Sequence, residues 1–272
     1  MTSDKLPIGL FDSGVGGLTV LAAMQRRMPH ENMLYLGDTA RLPYGTKSPD
    51  TITRYALQAA GKLVAQGIKL LVIACNTASA AALPALRRHF APLPVIGVVE
   101  PGAAAAAANS PKGHIAVIAT EATIGRGAYQ EALRHLCPGI RVTTRPCSLL
   151  VSLAEEGWLE GKECESVVAR YLSPIFQAAD APDCLLLGCT HFPLLLAPIR
   201  KVLGPHVRIV DSAETTARSV LDELAAVGML RGGKGKGRIR FFTTDDPDRF
   251  AGTGALFLGA SLPVKAVRLV DL

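Results

Sequence analysis

The sequence predicts an α/β fold: two similar doubly wound α/β domains related by a pseudo-twofold axis, with the active site in the cleft between them. Three observations carry this. Short apolar runs rich in Val, Ile and Leu alternate with helix-length segments along the chain, the pattern of parallel sheets covered by helices on both faces. Two of these runs end on a cysteine followed by hydrogen-bonding residues: Leu70-Leu-Val-Ile-Ala leads to Cys75-Asn76-Thr77, and Leu185-Leu-Leu-Gly leads to Cys189-Thr190-His191. Two earlier runs, Ile8 to Asp12-Ser13 and Ile115 to Thr120-Glu121, precede them at similar intervals and are both followed by glycines. Polar strand ends thus recur at matching places, as a duplication would leave them, and the carboxyl edge of such sheets is where open α/β folds bind ligands.

The first strand, near 7–12, ends at Asp12, and Gly14, Gly16 and Gly17 pass the chain to a helix near 17–27. A strand near 33–37 runs into the polar loop Gly37 to Gly45, and Asp50 supplies an N-cap for a helix near 50–66. The strand near 69–74 ends at Cys75 and precedes a helix near 78–90. After a strand near 94–98, the turn Glu100-Pro101-Gly102 opens a helix near 101–108, whose alanines suit close packing or a subunit interface. The second half repeats the alternation, with strands near 114–119, 140–144, 184–188 and 207–210. Helices are expected near 126–136, 149–156, 162–178 and 194–203. Asp211 and Glu214 form a capping-box spacing for a helix near 212–227. A strand near 239–243 and a short helix near 247–252 follow. The chain is expected to leave its first domain near Glu100 and return near Asp211. Residues 1–99 with 211–272 then form one domain, holding Asp12 and Cys75, and 100–210 form the other, holding Cys189.

With 272 residues, 49% hydrophobic and 19% charged, the chain has ample material for cores and is no disordered tail protein. No apolar run approaches the roughly 18 residues a bilayer requires, so no membrane partner is expected. Asp4 and Lys5 interrupt any signal-peptide core, which predicts a cytoplasmic protein whose six cysteines are reduced thiols. Cys164 and Cys184 read as packing residues, and Cys137 and Cys147 flank a strand. The net charge of +6 is concentrated in Arg231 to Arg240, a glycine-rich run without interleaved aromatics. It reads as a mobile solvated loop, and no nucleic-acid partner is expected.

Paired thiols at matching strand ends suit one acid and one base acting on opposite faces of a substrate. Gly14, Gly16 and Gly17 lack the dinucleotide spacing, and Asp12 would repel a pyrophosphate. The helix after Gly16 instead offers backbone N–H groups to a small carboxylate, and Asp12 can accept from an ammonium group or orient a neighbouring acid. In the loop, Tyr44 offers a hydroxyl and Gly45 lets a ligand approach the backbone. Asn76, Thr77 and Thr190 can bind a carboxylate without a fixed charge, and His191 lies two residues from its thiol. Cys-x-His is not a common zinc spacing, so no metal is expected. A Cys–His–Asp hydrolase would use Cys189 but leave Cys75 unexplained. A two-domain small-ligand binder would share the cleft but needs no paired thiols.

The motifs Phe11-Asp12-Ser13-Gly14-Val15-Gly16-Gly17, Gly37-Asp38, Pro43-Tyr44-Gly45, Ala74-Cys75-Asn76-Thr77-Ala78 and Val99-Glu100-Pro101-Gly102 occur in this order. They continue with Glu155-Glu156-Gly157, Gly188-Cys189-Thr190-His191-Phe192-Pro193 and Thr244-Asp245-Asp246-Pro247. Together they resemble the glutamate racemases, cofactor-independent enzymes that make D-glutamate for peptidoglycan. The resemblance implies that Cys75 takes the Cα proton from D-glutamate and Cys189 takes it from L-glutamate. It implies that His191 and Glu155 assist Cys189 and that Asp12 stands beside Cys75, with Asp38 a further helper. Substrate would be held by Asp12, Ser13, Tyr44, Gly45, Asn76, Thr77, Thr190 and His191, with Thr120 and Thr123 on its side-chain carboxylate. No cofactor is implied, and a homodimer is. Aspartate racemases are the alternative; they carry an acidic residue after their second Cys-Thr, where this chain has His191. Arg126, Ser148 and Ser152 depart from the family pattern, which usually has Ser at the first position and Pro at the other two.

Overall fold

The computed structural model describes residues 3–233 and 235–272; Lys234, in the basic run, lies outside the described residues. In chain order the strands are β1 (Ile8–Asp12), β2 (Met33–Gly37), β3 (Leu70–Ile73), β4 (Val95–Gly97), β5 (His114–Ala119), β6 (Arg141–Pro146), β7 (Cys184–Gly188), β8 (Arg208–Asp211), β9 (Ile239–Thr243) and β10 (Val267–Leu269). The helices are α1 (Leu18–Arg27), α2 (Pro49–Val64), α3 (Asn76–His89), α4 (Val99–Ala108), α5 (Glu121–Arg126), α6 (Ala128–Leu136), α7 (Ser148–Glu155), α8 (Gly161–Phe176), α9 (Leu196–Leu203), α10 (Ser212–Ala226) and α11 (Pro247–Leu258).

The strands form two parallel sheets, in the orders β10-β9-β2-β1-β3-β4 and β6-β5-β7-β8. The second order repeats the β2-β1-β3-β4 portion of the first strand for strand, with β9 and β10 added at the β2 edge. Each sheet is covered on both faces. Apolar side chains of α1, α10 and α11 pack on one face of the larger sheet, and those of α2 and α3 on the other. In the smaller sheet α7, α8 and α9 cover one face, and α4 and α6 the other. Double coverage explains why β1, β2, β3, β5 and β7 are buried along their whole lengths and read as uninterrupted apolar runs.

Several elements depart from expectation. Helix α3 starts at Asn76, two residues early, because the Cys75 thiol itself caps it by accepting from the Ala78 amide at 3.4 Å. The short α5 begins at the Thr120 cap inside a stretch read only as strand end and glycine turn. The terminal helix runs on to Leu258, and β10 forms from a tail segment in which no strand was expected. The lone Trp158, which follows Gly157, is 59% exposed. The basic run is not free of the core. Gly237 donates to the Pro29 carbonyl, His30 bonds the Gly235 carbonyl, and the Arg231 guanidinium donates to His30 and Asn32. Cys147, Cys164 and Cys184 are buried, and Cys137 is exposed. No helix of the described residues is long and apolar enough to cross a membrane.

One polar cluster fastens the amino end of the larger sheet. The fully buried Lys69 ammonium donates to Glu31 at 2.6 Å and to the carbonyls of Asp4 and Met229, and Glu31 also accepts from the Arg231 amide. Lys69→Met is expected to destabilise the fold by about 3–5 kcal/mol, because it leaves the Glu31 carboxylate buried without its counter-charge. Urea denaturation at neutral pH checks this.

Candidate active site

Strand order positions the first thiol. In the larger sheet β1 and β3 are neighbours, and the chain leaves β1 toward β2 on one side and β3 toward β4 on the other, the switch point beside whose carboxyl ends open α/β sheets bind ligands. Phe11 pairs in register with Ile73, and the Ala74 amide extends the ladder by donating to Phe11 at 2.8 Å. Asp12 and Ser13 therefore emerge beside Cys75, whose thiol donates to Ser13 Oγ at 3.3 Å. Asp12 is buried; one carboxylate oxygen accepts from the Gly14 amide at 2.8 Å and the other has no partner among the described residues. Burial raises the Asp12 pKa despite the opposing His191 charge and the Gly14, Gly17 and Ser13 amides. Burial, reinforced by the Asp12 charge, pushes the Cys75 thiol up to about 12, against the hydrogen bonds from Ser13 and Ala78.

The smaller sheet repeats this with different chemistry around the sulfur. There β5 is the strand between neighbours, Ala119 pairs with Gly188, and Thr120 and Cys189 follow. Cys189 Sγ lies 3.6 Å from His191 Nδ1, and His191 Nε2 lies 3.0 Å from Glu155 Oε1. The Phe257 ring stands edge-on to the imidazole, 4.9 Å between centroids. Burial alone would lower the His191 pKa, but Cys189 and Glu155 outweigh it and hold the ring at about 10. The His191 hydrogen bond keeps Glu155 below the usual carboxylate range against partial burial, helped by Arg249. One thiol thus faces a carboxylate and the other a cation.

Near both thiols in sequence, polar side chains of the two halves of the chain meet. The hydroxyls of Thr77, Thr120 and Thr123 form a triangle with sides of 2.9 to 3.2 Å. A side chain at Gly45 would lie 3.1 Å from Thr120. Asn76 is buried, accepts from the Tyr129 hydroxyl at 2.6 Å, and has its amide nitrogen unpartnered among the described residues. Thr19 donates to the Thr190 carbonyl at 3.1 Å, tying α1 to the second thiol's turn. The Tyr44 hydroxyl instead donates to Asp38 at 2.5 Å, and Asp38 also accepts from Arg41 and Thr244. Asp38 and Tyr44 therefore organise the loop around Gly45. Arg126 is exposed at the end of α5, and Ser148 and Ser152 are exposed on α7. Sequence reasoning did not single out Thr19, Tyr129 or Phe257, ordinary helix residues whose partners lie in the other half of the chain. Among the described residues no group of three or more His, Cys, Asp or Glu side chains is arranged to hold a metal ion.

Gly16 is a point of close approach. A Cβ there would meet Thr190 Oγ1 at 2.4 Å and His191 Cε1 at 2.5 Å. Gly16→Ala must displace the turn that carries Cys189. Activity is expected to fall at least about tenfold, with about 1–3 kcal/mol lost in stability; kinetics and thermal unfolding on one preparation check both.

The Asp/Glu/Hydantoin racemase family matches residues 18–220. A glutamate racemase of Geobacter metallireducens is 49% identical over 94% of this chain and 93% of its own length. The crystal structure of the Bacillus anthracis glutamate racemase superposes with a TM-score of 0.92 at 38% identity, covering 99% of this chain and 98% of that one. The Francisella tularensis glutamate racemase, solved in complex with D-glutamate, gives 0.90 at 36% identity and covers 98% of both chains. Likeness of this extent, in sequence and in backbone, places the chain in the glutamate racemase branch of the Asp/Glu/Hydantoin racemase family.

Proposed function

We propose that the chain interconverts L- and D-glutamate by a two-thiol mechanism without a cofactor, in a cleft between two domains, 1–99 with 211–272 and 100–210. The observation that carries this reading is the opposite environment of two buried thiols at equivalent strand ends. In the L-to-D direction Cys189, as thiolate beside the His191 imidazolium, takes the Cα proton. Cys75 holds its own proton, because burial and Asp12 disfavour its thiolate, and delivers it to the other face. The reverse reaction exchanges the roles. The carbanion formed between these steps lies in a water-poor site lined by fixed dipoles. The N-terminus of the 14-residue helix α3 follows Cys75 directly and favours negative charge there.

The remaining contacts fit an amino acid with two carboxylates and an ammonium group. The open Asp12 oxygen accepts from the ammonium group, with Ser13 beside it. Asn76, Thr77, Thr190, Gly45 and the Thr120–Thr123 hydroxyls receive the carboxylates, and neutral donors suffice where a helix terminus supplies the field. The family likeness extends the reading to a cytoplasmic homodimer whose product, D-glutamate, enters peptidoglycan.

Circular dichroism of separate L- and D-glutamate solutions tests the reading, with protein treated to strip metal and pyridoxal. Loss of optical activity from both enantiomers is expected. Activity on aspartate alone would retain the mechanism and overturn the substrate; activity only after a cofactor is restored would overturn the mechanism.

A further inference from the structure

We propose that Tyr129 is a positioning residue for the reaction: seated with its ring against Gly188, it aims the Asn76 amide at the substrate carboxylate through a hydrogen bond. The inference rests on the racemase reading above. Tyr129 lies on α6, in the half of the chain that carries Cys189, and its side chain is fully buried. Its hydroxyl crosses to the other half and donates to Asn76 Oδ1 at 2.6 Å. Asn76 directly follows Cys75, and Gly188 directly precedes Cys189. The Tyr129 ring fills the space above Gly188, where a Cβ would come within 2.9 Å of it, and on another side it lies 3.4 Å from the Cβ position of Gly102. One side chain therefore touches a neighbour of each thiol.

The polar atoms around Asn76 give the contact its direction. The Tyr129 hydroxyl donates to Asn76 Oδ1, and burial, with Cys189 and Asp211 nearby, raises its pKa so that it keeps the proton it donates. A donor at the Asn76 oxygen fixes which end of the amide points away from Tyr129. That end is Nδ2, which is buried and has no partner among the described residues. A buried amide donor left without an acceptor is costly. A carboxylate oxygen of the substrate supplies the acceptor in a residue flanked by Cys75 and Thr77. Without the Tyr129 hydroxyl the amide is free to rotate, and the donor is no longer prearranged.

Tyr129→Phe keeps the ring and removes only the hydroxyl. KM is expected to rise about tenfold for both enantiomers, the factor that one neutral hydrogen bond commands. The expected kcat stays within about threefold, and the thermal midpoint falls by only the few degrees that leaving the buried Asn76 oxygen without its donor costs. In an Asn76→Ala background the same substitution is expected to add nothing, because its effect travels through that amide. An unchanged KM, a fall in kcat alone, or an undiminished effect in the Asn76→Ala background would each overturn the inference. The comparison uses whichever of glutamate and aspartate the wild-type protein racemises. A wild type active only on aspartate refutes the glutamate reading while still testing Tyr129, and a wild type active on neither refutes both.

Discussion

Cys75→Ser and Cys189→Ser are each expected to lower racemisation by about a thousandfold, the scale of losing a positioned general acid or base. Both sulfurs are buried and serine is nearly isosteric, so the folded state should survive with its glutamate affinity largely intact. The two enantiomers have equal free energies, so their equilibrium constant is one. The ratio kcat/KM must then fall by the same factor in both directions for every variant, however unlike the two thiols are. The asymmetry between a thiol facing Asp12 and a thiol facing His191 is free to appear only in how that ratio divides between kcat and KM. Steady-state kinetics in both directions check the size of the loss and the equality together.

Glu155→Gln is expected to shift the pH profile as well as the rate. Glu155 does not reach a thiol; it accepts from His191 Nε2 at 3.0 Å and, with Cys189, holds the imidazole pKa at about 10 despite burial. His191 is a base with a raised pKa, so it keeps its proton below that value and loses it as pH rises through about 10. Activity that needs the imidazolium beside Cys189 therefore persists through neutral pH and falls on the alkaline side. Removing the carboxylate removes one of the two raising influences while the lowering effect of burial remains. The alkaline limb of kcat/KM should then move toward neutral pH, and kcat/KM at pH 8 should fall about 10–100-fold, the usual cost of losing such a supporting partner. A profile that keeps its alkaline limb in place would show that Glu155 acts only as packing. His191→Asn, lacking the titrating group, should abolish the limb.

The chain made its fold legible because buried parallel strands are nearly pure runs of Val, Ile and Leu, and here each central run ends on a residue of evident chemistry. Ile8 to Asp12, Leu70 to Cys75, Ile115 to Thr120 and Leu185 to Cys189 each end, as expected, at the carboxyl edge of a parallel sheet, the edge at which open α/β folds bind ligands. The roles around the thiols were less legible. Glu155 stood out only through the family motif, since one glutamate at the end of a helix resembles any other until its bond to His191 is visible. Tyr44 reads as a ligand in its loop, yet its hydroxyl is committed to Asp38, a partnership that a sequence reading has no means to assign. Tyr129 and Phe257 carried no signal because their contacts, with Asn76 and His191, join halves of the chain far apart in sequence. The Arg231–Arg240 run looked mobile by composition, but Gly237 sits where any side chain would collide with the Glu31 carbonyl, so its glycine serves close packing.

The most direct test of the two-thiol account is exchange of the Cα proton in deuterium oxide, followed by proton NMR, in the single-serine variants. With Cys189 intact, Cys75→Ser is expected to wash deuterium into L-glutamate without inverting it and to leave D-glutamate untouched. Cys189→Ser is expected to do the opposite, because each remaining sulfur reaches one face only. A variant that exchanges both enantiomers, while the other exchanges neither, would mean that a single base serves both faces and would contradict the account.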